Sequence, residues 1–415
     1  MKILFVLALE VNPKVGGVER VTHVLTRYFV NAGIEVYFFY FNLKELSFPE
    51  YNENVEVFFP PDIVNVNSQE NILFLKNILV SKDINIVINQ GSIGDSITAV
   101  IAESAKKSFV KIISVLHSTP FKFSLFYGQY KQTLTNYLAA EKKSFKNILK
   151  KKFLIFLAYQ QYVKFYKKHL KMAFASSDCF VLLSQGYIPI FNKILKIHNQ
   201  DKLISIANPL SFKEDFSINK LNYKKKQVIY VGRLEFHAKR LDRLINVWSM
   251  IENIAPDWKL IIVGGSMESV PNETDYQMKE LIRLKKMIEN LQLKNITFAG
   301  NKNPEVYYSE SKLFCLTSSY EGFPLVLGEA MQCGVVPVVF GSFEAAYDII
   351  EHKINGLIVA PFDIGEYTSL LSELMLDDSM TQKMAISAID GSKKFSVKVI
   401  GDQWIKLFKE LTVQK

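Results

Sequence analysis

Leu313-Phe314-Cys315-Leu316-Thr317-Ser318-Ser319-Tyr320-Glu321-Gly322-Phe323-Pro324-Leu325-Val326-Leu327-Gly328-Glu329-Ala330-Met331 is a strand, a loop and a helix in succession. The apolar run Leu313–Thr317 suits a strand buried on both faces, and the polar turn at Ser318–Gly322 releases the chain into a helix. A buried strand feeding a helix through a short loop is the repeating unit of a parallel α/β sheet. Two carboxylates stand inside this unit: Glu321 at the carboxyl end of the strand, and Glu329 about two turns into the helix. A helical Glu among Leu327, Ala330 and Met331 needs a partner if it is buried, and facing a cleft it can accept two bonds from a ribose diol. Backbone N–H groups at Gly322, Phe323, Pro324 and Leu325, at the helix start, are expected to point at a phosphate or at sugar hydroxyls.

The same alternation extends in both directions. Towards the C-terminus, Val335–Phe340 and Leu357–Val359 read as strands, and Val397–Leu411 as an amphipathic helix. Towards the N-terminus come Ile296–Ala299, Leu260–Val263 and Gln227–Val231, and before those Cys179–Ser184, Val110–His117, Asn85–Asn89, Glu35–Phe41 and Lys2–Leu9. The chain has 415 residues, too many for one ordinary core. The expectation is two Rossmann-like α/β domains with parallel sheets, facing each other across a cleft that binds ligand at the carboxyl ends of the strands. The polar, lysine-rich stretch Asn208–Lys226 reads as the linker between them. The domains expected are 1–208 with the terminal helix 396–415 crossing back, and 209–395.

Composition excludes several classes. Hydrophobic residues make up 49% and charged residues 22%, a globular rather than disordered balance. Cys179, Cys315 and Cys333 lack metal-ligand spacing and read as buried structural thiols in a reducing compartment. Lys2 before Ile3–Leu9 resembles the start of a secretion signal, but the run stops at Glu10 and reads as a first buried strand. No stretch reaches the length of a membrane span. Net charge is +9, concentrated in a helical insertion at about 129–176. Between Glu141 and Asp178 there is no acidic residue, while Lys142, Lys143, Lys146, Lys150, Lys151, Lys152, Lys164, Lys167, Lys168 and Lys171 alternate with aromatic side chains. Lysines with aromatics on one side suit an anionic membrane surface, so the Lys142–Lys171 segment is expected to contact lipid. No nucleic-acid module accompanies these charges.

Three further groups can carry chemistry. Gly16-Gly17-Val18-Glu19 joins the first strand to its helix, where glycines let backbone N–H groups approach a phosphate. It is not the Gly-x-Gly-x-x-Gly of dinucleotide oxidoreductases. Gly232-Arg233-Leu234, with Lys239 beyond it, brings a guanidinium and an ammonium to a strand end, where they suit a diphosphate. His117 closes the strand that precedes Ser118-Thr119-Pro120.

Taken in order, Gly16–Glu19, Gly232-Arg233 with Lys239, Val263-Gly264-Gly265 and the Glu321…Glu329 pair resemble glycosyltransferase family 4, retaining enzymes of the GT-B fold, over nearly the whole chain. The resemblance implies a nucleotide sugar as donor and a glycan as acceptor. It implies that Gly17 donates to the distal phosphate and that Arg233 and Lys239 clamp the diphosphate. It also implies that Glu329 holds the ribose, that Glu321 holds the donor sugar beside its anomeric carbon, and that His117 touches the same sugar. Where relatives often carry a third glycine after Val-Gly-Gly, this chain has Ser266 and a polar stretch to Asp275, which bears on the choice of base. The expected donor is a UDP-hexose or UDP-N-acetylhexosamine, with GDP-mannose second, and the expected acceptor is lipid-linked. No Asp-x-Asp motif stands at a suitable strand end and two cations already cover the diphosphate, so no metal or other cofactor is expected. A nucleotide-sugar epimerase of similar architecture and a catalytically silent scaffolding subunit are the competing readings.

Overall fold

The computed structural model describes residues 1–8, 11, 16–41, 55–91, 95–120, 145–198, 201–212, 216–265 and 275–413. Its internal packing divides the chain into two units, Met1–Ala207 with Ile400–Lys415, and Asn208–Val399.

The first unit is built on a seven-stranded sheet. Its strands are β1 (Lys2–Leu7), β2 (Glu35–Tyr40), β3 (Glu56–Phe58), β4 (Ile86–Asn89), β5 (Lys111–Leu116), β6 (Cys179–Leu182) and β7 (Leu203–Ser205), in the spatial order 3-2-1-4-5-6-7. Every neighbouring pair is parallel. The second unit carries β8 (Lys225–Val231), β9 (Lys259–Val263), β10 (Ile296–Gly300), β11 (Ser311–Leu316), β12 (Val336–Phe340) and β13 (Leu357–Val359), in the order 10-9-8-11-12-13, again all parallel. The two parallel α/β sheets are those expected. β3 and β7 are additional: both are short edge strands in which a polar residue, Glu56 or Ser205, interrupts the apolar run.

Both orders reverse once: the chain runs outward from β1 to β3 and returns to β4 on the other side of β1, and runs from β8 to β10 and returns to β11. At such a switch point the loops after the two central strands diverge and leave a crevice at their carboxyl ends. Gly17 and Gln90 follow β1 and β4, whereas Arg233 and Glu321 follow β8 and β11.

Central strands are buried on both faces: Ile3, Leu4, Phe5 and Val6 in β1, and Val228, Ile229 and Tyr230 in β8, are all at most 1% exposed. That explains their unbroken apolar sequence. All three cysteines are buried and outside any disulfide, and burial pushes the Cys179 and Cys315 thiols up to about 12.

Two expectations need correction. The described residues of Asn208–Lys226, 208–212 and 216–226, do not form a loose linker, because they are packed into the second unit. The Leu210 N–H donates to the Phe395 carbonyl, Leu221 joins the core, and the buried Lys224 ammonium donates to the carbonyls of Tyr308 and Ser311, each at 2.7 Å. The stretch has the lysine-rich composition of a linker, but Lys224 serves backbone carbonyls rather than solvent.

The basic insertion forms a helix, Phe145–Ala175, while 129–144, with Lys142 and Lys143, and the side chains at 145–152 lie outside the described residues. The aromatics do not share one side of this helix. Tyr166 and Phe174 are buried, whereas Phe153, Phe156 and Phe165 are 60%, 49% and 52% exposed. Lys164, Lys168 and Lys171 are exposed as well. Among the described residues no helix is long and apolar enough to cross a membrane.

Candidate active site

In the second unit, the loops after β8, β9 and β11 meet at the switch point. Gly264, at φ +122°, is forced: a Cβ there would lie 2.1 Å from the Gly232 carbonyl oxygen. Neighbouring strand ends can therefore close up only with glycine at this position, which leaves backbone as the floor of the crevice. The Gly264 N–H bonds the Gly300 carbonyl and the Gly232 N–H bonds that of Val263, fixing the floor.

Above it the loop after β8 is stitched to the loop after β11. The Ser319 N–H donates to the Ala238 carbonyl at 2.7 Å, and the Thr317 hydroxyl donates to the Arg240 carbonyl at 3.0 Å. Arg243, on the helix Leu241–Ile251, donates to the Thr317 carbonyl and to the Ser319 hydroxyl, with the Phe362 ring 4.0 Å from its guanidinium.

This stitching brings Lys239 and Glu321 together. The ammonium donates to Glu321 Oε1 at 2.6 Å, the Ser318 hydroxyl donates to the same oxygen at 2.7 Å, and the two charged side chains are only 15% and 11% exposed. A buried charge without a partner would be costly, so each holds the other in place. Arg233 differs: its side chain is 69% exposed, with Glu235 at 3.7 Å. With the guanidinium in solvent and the contact at this distance the pair is worth little, so Arg233 can reorient towards an anion.

The helix Leu325–Gln332 begins beyond Glu321 with Pro324 as its cap, a residue that makes no side-chain cap bond. Pro324 has no N–H, so of the four donors expected here only Gly322, Phe323 and Leu325 carry one. The Phe323 side chain is buried, with its ring 5.2 Å from that of Phe395. Glu329, inside the helix, is fully buried and accepts a bond from the Ser211 hydroxyl at 2.9 Å.

In the first unit, Gly17 opens the helix Gly17–Asn31, and Gly16 caps it with extended backbone. The Glu19 carboxylate folds back over Gly16, where a Cβ would stand 2.3 Å from it. His117 comes directly after β5. Its Nε2 meets the side-chain oxygen of Gln90. Burial holds its imidazolium far below the usual range, at about 4, so the ring is neutral at physiological pH. Both residues line a cavity of about 440 Å³ whose other walls include Tyr162, Phe165 and Tyr166 from the long helix.

Each expected residue thus stands at or beside a switch point. Ser318 and Arg243, within or close to the motifs, and Ser211 and Gln90, far from them, were not singled out from the sequence. The stretch from Ser266 to 274, expected to bear on base choice, lies outside the described residues. Among the described residues no three His, Cys, Asp or Glu side chains cluster as metal ligands.

Two family models match consecutive parts of the chain, "Glycosyltransferase Family 4" over residues 15–185 and "Glycosyl transferases group 1" over residues 211–390. An uncharacterized glycosyltransferase of Haemophilus influenzae is 28% identical over 235 residues, 56% of this chain and 62% of its own length. A Campylobacter jejuni alpha-1,4-N-acetyl-D-galactosaminyltransferase, named for a GalNAc- and diNAcBac-bearing PP-undecaprenol, is 25% identical over 207 residues, 50% of this chain and 54% of its own. The chain therefore matches somewhat over half the length of these curated relatives. Among solved structures, HepE of Anabaena in complex with UDP superposes with a TM-score of 0.73 at 17% identity, covering 99% of this chain and all of that one.

Proposed function

Because the chain belongs to the glycosyltransferases that these two models describe and has their GT-B fold, we propose that it moves a hexose or N-acetylhexosamine from a UDP-sugar to a lipid-linked glycan acceptor. Transfer proceeds with retention of anomeric configuration, in the assembly of a surface polysaccharide. The observation that carries this reading is the Lys239–Glu321–Ser318 cluster at the second switch point, with Arg233 exposed on the loop after β8. It supplies two cations for a diphosphate and a carboxylate fixed where a sugar attached to that diphosphate would lie. Glu329, held by Ser211, is the ribose ligand. The Anabaena structure, solved with UDP, supports the choice of base, and the Campylobacter enzyme's name supports the acceptor class.

In this reaction the bond from the anomeric carbon to the phosphate oxygen breaks while a bond to the acceptor oxygen forms on the same face. The acceptor's hydroxyl proton passes to the departing phosphate, so the protein needs no nucleophile or separate base. Lys239 and Arg233 stabilise the negative charge that grows on the leaving diphosphate, and Glu321 orients the sugar. The two cations make a metal ion unnecessary. We place the enzyme on the cytoplasmic side, peripheral to the membrane, with the exposed Lys164, Lys168 and Phe153 of the long helix towards anionic lipid.

Thermal shift and donor hydrolysis against a panel of nucleotide sugars test the reading. One UDP-sugar is expected to raise the melting temperature and to be slowly hydrolysed, with both effects lost in Glu329→Ala and both kept in excess chelator. No response to any donor would overturn the transferase reading, and loss of activity in chelator would overturn metal independence.

A further inference from the structure

Gln90 stands at the first switch point on a rigid base. Its N–H donates to the Val6 carbonyl of β1 at 3.0 Å. On one side Asn89 locks the turn, its oxygen accepting from the Gly91 N–H at 3.1 Å and its amide donating to the Thr98 hydroxyl at 3.1 Å. The Gln90 side chain is almost fully buried, so its amide cannot turn to solvent, and it delivers its oxygen to His117 Nε2.

An amide oxygen only accepts, so the ring nitrogen facing it must carry the proton. Burial keeps the ring neutral, so it has a single N–H, and that one is spent on Gln90. The other nitrogen, Nδ1, is buried and has no hydrogen-bond partner among the described residues. Among the described residues, the ionisable groups lining the cavity besides His117 are Tyr162 and Tyr166. Burial raises both phenols, so neither is charged near neutral pH. Among the described residues nothing ionised lines the cavity to pull the imidazole into its other form.

We propose that Gln90 is a positioning residue that holds His117 as the Nε2–H tautomer, leaving Nδ1 to accept a hydrogen bond from a hydroxyl of the bound sugar. This rests on the transferase reading for the identity of the ligand, though not for the tautomer. A lone-pair nitrogen attracts a hydroxyl and repels a carboxylate or carbonyl oxygen, so the sugar class selected is a neutral hexose rather than a hexuronic acid.

The experiment has two arms. Long-range ¹H–¹⁵N NMR of histidine-labelled protein without ligand, assigned against His117→Asn, reads the tautomer directly. Wild type and Gln90→Glu are expected to show Nε2–H, because both offer an oxygen acceptor, while Gln90→Leu is expected to populate Nδ1–H. Kinetics form the second arm, with UDP-glucose and UDP-glucuronic acid as probes at matched melting temperature. Gln90→Leu should lower kcat for the neutral sugar by roughly tenfold to a hundredfold with KM little changed. It should also narrow the preference over the glucuronic acid donor, and Gln90→Glu should restore the rate. An Nδ1–H ring in wild type, or a tautomer unmoved in Gln90→Leu, overturns the proposal whatever the rates. If neither sugar is turned over by any variant, the donor assignment fails while the NMR arm still decides the role of Gln90.

Discussion

Ser211 lies 118 positions from Glu329 in the chain, yet its hydroxyl donates to that carboxylate at 2.9 Å. The bond fixes the plane of the carboxyl group, as the proposed grip on both hydroxyls of a ribose diol requires. Ser211→Ala is expected to weaken UDP binding by roughly tenfold to a hundredfold, the worth of one hydrogen bond to a charged group. Binding of 2′-deoxy-UDP should change much less, and calorimetry with both nucleotides separates the cases. Equal weakening of the two would mean that Ser211 only packs the helix. Ser211 and Gln90 share a reason for being illegible in the sequence: each is a common residue whose meaning comes from a partner that only the fold brings near. Glu321 and Glu329 were legible because carboxylates inside an apolar strand–loop–helix pattern demand an explanation on the spot.

Strands and helices show a parallel solution in the two units. Lys202 donates to the carbonyls of Phe174 and Ser177 at the end of the long helix, with its ammonium 4.4 Å from the Phe174 ring. Lys224 donates to the carbonyls of Tyr308 and Ser311 at the end of the helix Pro304–Glu310, with the Phe216 ring 5.1 Å away. In each unit a lysine beside an edge or central strand satisfies a helix terminus that would otherwise bury bare carbonyls. Burial pushes the Lys224 amine down to about 7, and even the neutral form keeps two N–H bonds for its two carbonyls. Between about pH 7 and its ordinary value of 10.5 the unfolded chain binds a proton that the folded chain does not, so this group makes stability rise with pH across that window. Lys224→Met should cost about 2–4 kcal/mol in urea unfolding through the two stranded carbonyls, and should flatten that rise. A variant as stable as wild type at pH 8 would refute the role. Composition made the surrounding stretch look like a linker, since a lysine buried by one helix end and a lysine in water are spelled alike. β3 and β7 are hidden for a simpler reason: each is a short edge strand broken by a polar residue, whereas the equally short Leu357–Val359 is wholly apolar.

Across the molecule, the charge of +9 has its proposed use on the long helix of the first unit. Phe153, Phe156 and Leu157 are exposed towards its start and Lys164, Lys168 and Lys171 towards its end. Each lysine near an anionic bilayer is worth about 1 kcal/mol, so changing all three to glutamate should lower binding to phosphatidylglycerol vesicles by roughly a hundredfold or more. Binding that survives the change, measured by flotation at fixed ionic strength, would remove the membrane from the proposal. The overall division into two parallel-sheet units was readable because each repeats the same strand–helix pattern, and so was the terminal helix. That helix, Val397–Val413, joins the first unit from Ile400 onward. Gly401 lies against Tyr28, and the Phe408 ring lies 5.2 Å from that of Phe29. Its membership has a consequence for how the chain is made. A ribosome delivers Phe29 early and Phe408 only after every residue of the second unit has emerged, so the second unit can finish folding while the first still waits for a missing wall. The unit that is begun first is completed last, and until then the face around Phe29 is bare to chaperones and to other nascent chains.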